Sequence, residues 1–428
     1  MTVLQSNPIP QINKEEISQT GVPANVARYR QPHRLADMSV GRIRRWGQPF
    51  RRAFLMKKQR ALTAFFVALS LLFPKVGFPQ TTNVVILDST EIANLRRVVS
   101  QNERAKYLYD SIASLARARS EEAPRPLKRL HYEGLLETNP DRIDTRKSLR
   151  DMDKVISFIY ASYGSNDTIF AHKTKQFVLA WANAYQPDGN PINENKFVAL
   201  YWGYYLFRDR FSDREQEKVE DWMVAIARQE IDRKSTPNNN WEAKRQKMIG
   251  IIGSVTSNDS LKAFAQRGFR AYINTAYFPD SSSTDLRQRD ALHYHVGGLK
   301  PMLSAAINLS KFDTLFNLYD YVAPSGASIK KSVAYVVPYA RGEPERAEWV
   351  NTTVALDKER AAAGLAEYQP GKLFDPKEAV PLFEWASYYE PAWFDIVGDQ
   401  GFTSTWVGLL NSPLVRQPLV RQPQIQGR

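Results

Sequence analysis

Residues 287–299 read RQRDALHYHVGGL, and they hold two arginines, an aspartate, a tyrosine and two of the chain's five histidines. Read as a helix, this stretch places Arg287, Asp290 and Tyr294 at i, i+3 and i+7, so a guanidinium, a carboxylate and a phenol share one face. An arginine beside a tyrosine stabilises the phenolate, and such a tyrosine can exchange a proton with a substrate. The pattern therefore predicts a helix that supports proton transfer on an acidic substrate.

The same stretch also fits a simpler interpretation, in which it packs against a core. Leu292, His295, Leu299 and Met302 recur at i, i+3, i+7 and i+10, an apolar stripe that carries one histidine. His295 is then a packed histidine with satisfied ring nitrogens, and Tyr294 is a buried aromatic with a hydrogen-bonded hydroxyl. Both interpretations stay open, although the density of titratable groups favours a functional site.

A second polar stretch, NNNWEAKR at residues 238–245, precedes another predicted helix. We expect Asn240 to be its N-cap, since asparagine is favoured there, but three asparagines exceed what one cap needs. Trp241, Arg245 and Met248 recur at i, i+4 and i+7, which places an arginine within an apolar stripe. Because a buried arginine needs an anionic partner, Arg245 is expected to bind an internal carboxylate or an acidic ligand.

Composition excludes several classes of protein. The chain has 428 residues, 43% hydrophobic and 24% charged, which suits one large or two modest globular domains. It has no cysteine, so disulfides and thiolate chemistry are excluded. The histidines offer no HExxH spacing, and only His293 and His295 lie close together, so we expect no metal site.

The basic charge is concentrated before residue 81. The formal net charge is +13, but residues 1–55 carry nine Lys or Arg against three acidic residues, and residues 56–80 carry four Lys or Arg and no acidic residue. The rest of the chain is close to balanced. We therefore expect no nucleic-acid partner.

Residues 56–80 have the pattern of a secretory signal peptide. The basic start MKKQR is followed at 61–73 by the apolar run ALTAFFVALSLLF, which is short for a membrane span. A buried helix or a retained anchor is the alternative. Residues 1–55 are expected to be a disordered basic extension or to lie upstream of the true start. The protein is then periplasmic or secreted, with no stable membrane partner after signal removal.

From residue 81 to about 412 the sequence predicts helix after helix, separated by turns such as QPDGNP at 186–191. No alternating strands joined by hairpin turns are seen, which disfavours a sheet. The series predicts an all-α bundle, solenoid or toroid, and residues 413–428 are expected to form a disordered tail. The predicted helices cover 89–117, 149–163, 169–185, 195–207, 213–231, 241–255, 260–276 and 291–309.

Four short motifs between them resemble the alginate lyase family, a group of polysaccharide lyases. They are FVLAWA at 177–182, GNPINE at 189–194, NNW at 239–241 and RDALHYH at 289–295. Each is weak alone, but together they are specific, and the resemblance runs from about residue 131 to 309. It implies an all-α incomplete (α/α) toroid of antiparallel helix pairs over residues 81–412.

The resemblance also implies roles for individual residues. Tyr294, with Arg287 seven residues before it, corresponds to the catalytic core, and Asn240 corresponds to the group that neutralises the substrate carboxylate. The helping histidine of relatives has no match here, since Glu242 and Lys244 stand where it is often placed. Lys244, Arg245 or His295 could supply that charge instead. The catalytic candidates are Tyr294, Arg287, Asn240 and His295. The substrate-binding candidates are Asn239, Trp241, Lys244, Arg245, Arg289, His293 and Tyr132.

The implied reaction is β-elimination on a uronic-acid polymer, alginate or a related polyuronate. Neutralising the carboxylate stabilises the enolate-like intermediate, while Tyr294 abstracts the C5 proton or protonates the leaving O4, a duty that His293 or His295 could share. No cofactor is needed. The alternatives are a non-catalytic glycan-binding toroid and an (α/α)-barrel glycoside hydrolase. The hydrolase would need two opposed carboxylates, and Asp285, Asp290 and Glu242 offer no convincing pair.

Overall fold

The computed structural model describes residues 83–135, 138–165, 167–398 and 405–416. Most of these residues are helical, with no β-strand among them and only two isolated bridges, Tyr277–Ser283 and Ala347–Leu373. The predicted all-α class is confirmed. The helices are α1 Ser89–Gln101, α2 Glu103–Ser120, α3 Pro140–Ser148, α4 Arg150–Gly164, α5 Ile169–Ala184, α6 Pro191–Glu194, α7 Val198–Leu206, α8 Asp213–Asp232, α9 Asn240–Val255, α10 Asp259–Ala276, α11 Thr284–Arg289, α12 Leu292–Leu309, α13 Ile329–Ala334, α14 Val337–Ala340, α15 Ala355–Ala362, α16 Val380–Ala386, α17 Phe394–Val397, α18 Trp406–Asn411 and α19 Pro413–Arg416.

Neighbouring helices pack in pairs around a continuous hydrophobic core. Helix α4 packs on α5, and α9 packs on α10, while α9 also contacts α12 and α7. Large aromatics fill the spaces between these helices; Phe197, for example, lies 5.1 Å from Trp181 and 4.6 Å from Tyr185 between ring centroids. Much of the aromatic content therefore serves packing.

The long run predicted at 89–117 is two helices. Asn102 has an extended backbone (φ −131°, ψ 118°), which ends α1 and begins α2. Its side chain accepts hydrogen bonds from the backbone N–H groups of Arg104 and Ala105, so it is the N-cap of the second helix. The prediction of one helix is wrong because apolar spacing continues across a residue that prefers to cap.

The stretch that includes Arg287 and Tyr294 is also not one helix. Helix α11 ends at Arg289, and Asp290 adopts the left-handed conformation (φ 49°, ψ 44°) that few non-glycine residues adopt. The Asp290 carboxylate accepts from Arg346 at 3.0 Å and from the Asn351 N–H at 3.0 Å, which holds this conformation. The expected i, i+3, i+7 face is therefore wrong.

The C-terminal tail predicted at 413–428 is wrong for its first four residues. Helix α19 packs on α1, where the carbonyl of buried Val415 accepts from Asn94 at 3.1 Å. Arg416 pairs with Glu91 at 2.8 Å, and both side chains are buried. Residues 417–428 lie outside the described part of the chain.

The extension at 1–55 and the signal peptide at 56–80 also lie outside the described residues. Within the described ranges, none of the helices combines the length and apolarity that a membrane crossing requires.

Candidate active site

Tyr294, in the first turn of α12, lies within a cluster of guanidinium groups and aromatic rings. The Arg289 guanidinium stacks 3.9 Å from the centre of its ring, and Trp349 meets it edge-on at 5.7 Å. Arg360 donates to the Tyr294 hydroxyl at 3.2 Å and to the Tyr368 hydroxyl at 3.0 Å. Tyr294 is thus surrounded by groups that stabilise negative charge.

Arg287 does not belong to this cluster. Its guanidinium donates to Asp280 at 2.8 Å and to Ser282 at 2.8 Å, and it stacks 3.5 Å from the centre of the Phe278 ring. The left-handed residue at 290 separates α11 from α12, so the seven-residue interval no longer brings Arg287 to Tyr294. The predicted pairing of these two side chains is wrong, and Arg289 occupies the expected position.

His295 is a packing residue, as the simpler interpretation predicted. It is 1% exposed. Its Nδ1 lies 2.8 Å from the Ser283 hydroxyl and its Nε2 lies 3.1 Å from the Ser332 carbonyl, so both ring nitrogens are satisfied. Burial lowers the pKa of His295 to about 4. A catalytic role for His295 is contradicted by this environment, because neither nitrogen is available to a substrate.

The asparagine-rich turn begins helix α9, but its cap is Asn239 rather than Asn240. The Asn239 side chain accepts from the Trp241 N–H at 3.0 Å. The backbone N–H of Asn240, the first helical residue, donates to the carboxylate of Asp285. This contact brings the turn to helix α11, next to the Tyr294 cluster.

Asp285 links the two polar stretches that the sequence singled out. It is 5% exposed, and its carboxylate lies 3.5 Å from Nε of Arg289, which in turn stacks on Tyr294. Burial raises the pKa of Asp285, whereas the charges of Arg289 and Lys244 and the Asn240 N–H oppose this rise. Lys244 and Tyr294 therefore face a common region around one buried carboxylate.

Lys244 lies among other lysines in the interior of the fold. Its pKa is lowered to about 8, first by burial, then by the positive charges of Lys196 and Lys300, with Asp285 opposing the shift. Lys196 also lies 5.2 Å from the ring centre of Tyr132. A cluster of partly desolvated cations attracts anionic ligands, and it connects the predicted substrate-binding residues Tyr132 and Lys244.

Arg245 binds an internal carboxylate, the first of the two alternatives predicted for it. Its guanidinium lies 3.1 Å from Glu242, donates to the Glu230 carbonyl at 2.7 Å and lies 5.4 Å from the ring centre of Phe264. A role for Arg245 in substrate binding is contradicted, because its donors are used within the protein. Trp241 is likewise covered by Arg233, at 5.3 Å from its ring.

A cavity of about 460 Å³ adjoins Tyr294. Its wall includes Trp349 and Tyr368, which both contact Tyr294, and the predicted substrate-binding residue His293. The cavity has room for part of a sugar chain, with two aromatic faces and several charged groups in its wall. The lining residues are His293, Val296, Gly297, Lys300, Trp349, Glu367, Tyr368, Lys372 and Glu378.

The model of the alginate lyase family matches residues 100–347. This chain belongs to the alginate lyase family. It is therefore a polysaccharide lyase, and its substrate is a polysaccharide.

Solved structures of alginate lyases align with this chain. An alginate lyase from Bacteroides ovatus aligns with a TM-score of 0.56 at 15% identity, over 76% of this chain and 100% of that chain. Alginate lyase A1-III from Sphingomonas species A1 aligns with a TM-score of 0.44 at 16% identity, over 71% and 97% of the two chains. The Bacteroides likeness shows that this chain has the α/α toroid fold. No curated protein sequence matches it significantly.

The motifs that resemble alginate lyases divide into packing and site residues. Phe177 and Trp181 are buried in the core, where the Trp181 indole donates to Asp151 at 3.0 Å. Glu194 is also buried and accepts from the Tyr185 hydroxyl at 3.0 Å. The motifs at 239–241 and 289–295, in contrast, border the region around Asp285. In the described part of the chain, no group of three or more acidic or histidine side chains is arranged to hold a metal ion.

Proposed function

We propose that this lyase cleaves a uronic-acid polymer, alginate or a related polyuronate, by β-elimination. Tyr294 is the proton-transfer residue, and Asn240 and Lys244 neutralise the C5 carboxylate. The observation that supports this proposal is the position of Asp285, which contacts Asn240 on one side and the Arg289–Tyr294 stack on the other. The carboxylate-binding and proton-transfer groups are thereby adjacent.

The lysine cluster fits an acidic sugar. The C5 proton of a uronate is weakly acidic, and removing it places negative charge on the adjacent carboxylate. A cation and an amide donor fixed at that carboxylate stabilise this charge as it develops. Lys244 carries the cation here, and Lys196 and Lys300 add positive potential along the same region.

The guanidinium groups around Tyr294 fit a proton-transfer role. A phenol that gives up or shares its proton develops negative charge on its oxygen. Arg360 already donates to that oxygen, and Arg289 stacks on the ring. Donors fixed before the reaction stabilise such charge without reorganisation. Arg360 and Arg289 thus take the part that the sequence assigned to Arg287.

The carboxylates needed by the hydrolase alternative are engaged elsewhere. Glu242 pairs with Arg245, Asp290 with Arg346, and Asp285 is buried against Arg289. None of these three carboxylates lines the cavity. These three carboxylates therefore do not supply the opposed pair that a glycoside hydrolase requires.

The cellular location remains a proposal from sequence. We infer that residues 56–80 direct export and are removed, that residues 1–55 are not part of the folded enzyme, and that the protein acts in the periplasm or outside the cell. N-terminal sequencing of the protein purified from its cell fractions tests this, and a cytoplasmic protein with residues 56–80 intact would contradict it.

The reaction is tested by incubating the purified chain with alginate and with glucuronan and following the ultraviolet absorbance of a C4–C5 double bond. We expect the absorbance to rise, and Tyr294→Phe to abolish the rise while leaving the helical circular dichroism unchanged. Tyr107→Phe, at a 61% exposed tyrosine, is the matched control and should have full activity. New reducing ends without the absorbance would indicate hydrolysis, and a fully active Tyr294→Phe would contradict the assignment.

A further inference from the structure

His293 and Glu378 form a histidine–carboxylate pair in the wall of the cavity. We propose that His293 takes the C5 proton, that Glu378 positions it, and that Tyr294 protonates the leaving oxygen. This inference rests on the proposed β-elimination and divides its two proton transfers between neighbouring residues of helix α12. The His293 and Tyr294 rings lie perpendicular, 5.4 Å apart between centroids.

The contact to Glu378 determines which ring nitrogen can act as a base. Nδ1 of His293 lies 2.8 Å from Oε2 of Glu378, and a carboxylate can only accept. Nδ1 therefore carries the hydrogen, and Nε2 of the neutral ring keeps its lone pair. Nε2 makes no hydrogen bond with any described residue, and the side chain is 56% exposed in the cavity wall. A substrate in the cavity can reach this nitrogen.

Glu378 is fixed as an anion. Its other oxygen accepts from Lys372 at 3.0 Å. The hydrogen bond from His293 and the contact with Lys372 lower the pKa of Glu378 to about 2. It therefore stays ionised through the neutral range and stabilises the imidazolium that forms when His293 accepts a proton, as a carboxylate behind a catalytic histidine does.

The backbone also holds His293 in place. Its N–H donates to the buried carboxylate of Glu348 at 2.9 Å. The charged and titratable groups around His293 are Glu378, Lys372, Glu348, Glu367, Lys300 and Tyr294.

His295, two residues later in helix α12, has no ring nitrogen that a ligand can reach. Its two nitrogens are bonded to Ser283 and Ser332 in the core. His293 has one nitrogen bonded to a carboxylate and the other unpaired among the described residues, on a side chain that lines the cavity. Only the second arrangement can exchange a proton with a ligand.

The elimination moves one proton to His293 and one from Tyr294. Nε2 of His293 takes the C5 proton, and the electron pair of the C5–H bond becomes the C4–C5 double bond. The C4–O4 bond breaks, and its electrons go to O4, which takes the phenolic proton of Tyr294. Solvent then removes the proton from the imidazolium and returns one to the phenolate. Because His293 and Tyr294 are separate groups, the C5 proton can be removed at one face of the sugar ring while O4 is protonated at the other.

The test compares His293→Gln and Glu378→Gln in the full chain with alginate and glucuronan. We expect His293→Gln to lower kcat by roughly 10²-fold or more, to change KM little, and to lose the acidic limb of the kcat–pH profile. Glu378→Gln should cause a smaller loss and move that limb to lower pH, because the imidazolium loses its anionic partner.

A matched control is His131→Gln, which removes a similarly exposed histidine paired with Asp141 at 3.2 Å and absent from the cavity wall. It should have unchanged kcat. A His293→Gln variant with kcat within about twofold of the unmodified protein, or with only KM raised, would overturn the role of His293 while Tyr294→Phe stayed inactive. Lack of any double-bond signal from the unmodified protein would instead contradict the proposed function.

Discussion

Lys244 shows how position can change the chemistry of one side chain. An exposed lysine stays charged well above neutral pH, but burial and the neighbouring charges of Lys196 and Lys300 lower the pKa of Lys244 to about 8. In the proposed reaction this lysine must be protonated to neutralise the carboxylate. The charge is present below pH 8 and is lost as the pH rises through that value.

We therefore expect kcat/KM of the unmodified protein to fall as the pH rises through about 8. Lys244→Arg should move this decline to higher pH, since a guanidinium stays protonated, and Lys244→Gln should lower kcat/KM by roughly 10²-fold at neutral pH. Initial rates of double-bond formation across pH measure both effects. Lys147→Arg, at a 60% exposed lysine paired with Asp144, is the control. An identical profile for Lys244→Arg would argue against the role.

The sequence could identify candidate site residues only where they lie together in a short motif. Tyr294, Asn240 and Lys244 were predicted because each lies in a polar stretch of unusual composition. Arg360 and Tyr368 were missed, although they contact or adjoin the Tyr294 hydroxyl, because they are more than sixty residues away and have no spacing relation to it. The predicted contact of Arg287 with Tyr294 is wrong because the interval of seven residues aligns two side chains only if the helix is continuous.

The break between helices α11 and α12 decides the geometry of the site. The left-handed Asp290 ends α11 one residue after Arg289, so that Arg289 rather than Arg287 reaches Tyr294. The carboxylate of Asp290 at the same time binds Arg346 and Asn351, which anchors the segment that carries Trp349. Sequence periodicity predicts that helices exist here but not where they break, because contacts with residues distant in the chain hold the break at Asp290.

Helix α12 contains two adjacent glycines, of which only Gly297 lines the cavity. Variants at the two positions therefore distinguish an effect on helix stability from an effect on substrate binding. Gly297 lines the cavity and has no atom within 4 Å of an added Cβ, whereas Gly298 would place a Cβ 3.8 Å from Tyr277 Oη and 3.9 Å from Asp285 Oδ2 and does not line it. Replacing either glycine within a helix should raise the free energy of unfolding by about 0.5–1 kcal/mol.

Gly297→Leu should in addition fill part of the cavity and raise KM for polyuronate by about tenfold, whereas Gly298→Ala should leave KM unchanged. Urea unfolding and steady-state kinetics on the two variants measure these effects. If both variants bind substrate as the unmodified protein does, the cavity is not the sugar site.

At the scale of the whole molecule, Glu91 in helix α1 forms ion pairs with side chains that are distant in the chain. One of its oxygens accepts from Arg416 at 2.8 Å, and the other accepts from Lys311. Arg416 further donates to Asn411 and to the Ile86 carbonyl. The tail prediction missed this contact because the sequence Pro-Leu-Val-Arg-Gln, which occurs at 413–417 and again at 418–422, carries no sign of the buried acid that Arg416 meets.

Arg416→Ala should lower the free energy of unfolding by about 3 kcal/mol or more, since it leaves a buried acid with one partner fewer. Arg341→Ala removes an arginine that pairs with Asp395 at 3.0 Å on the surface, and it should cost at most about 1 kcal/mol. Urea denaturation followed by circular dichroism compares the two. Equal effects would mean that α19 is not part of the cooperative fold.

The contact between Glu91 and Arg416 has a consequence for biosynthesis. The two residues are 325 positions apart, so a ribosome that has made the first helix must add more than three hundred residues before the partner of that helix exists. Helix α1 can pack on α2 and α4 earlier, and Glu91 can pair with Lys311, but the face of α1 that α19 covers stays exposed on the nascent chain until then. Until that partner emerges, the growing enzyme is expected to depend on chaperones and to be open to proteases, and it closes only late in translation.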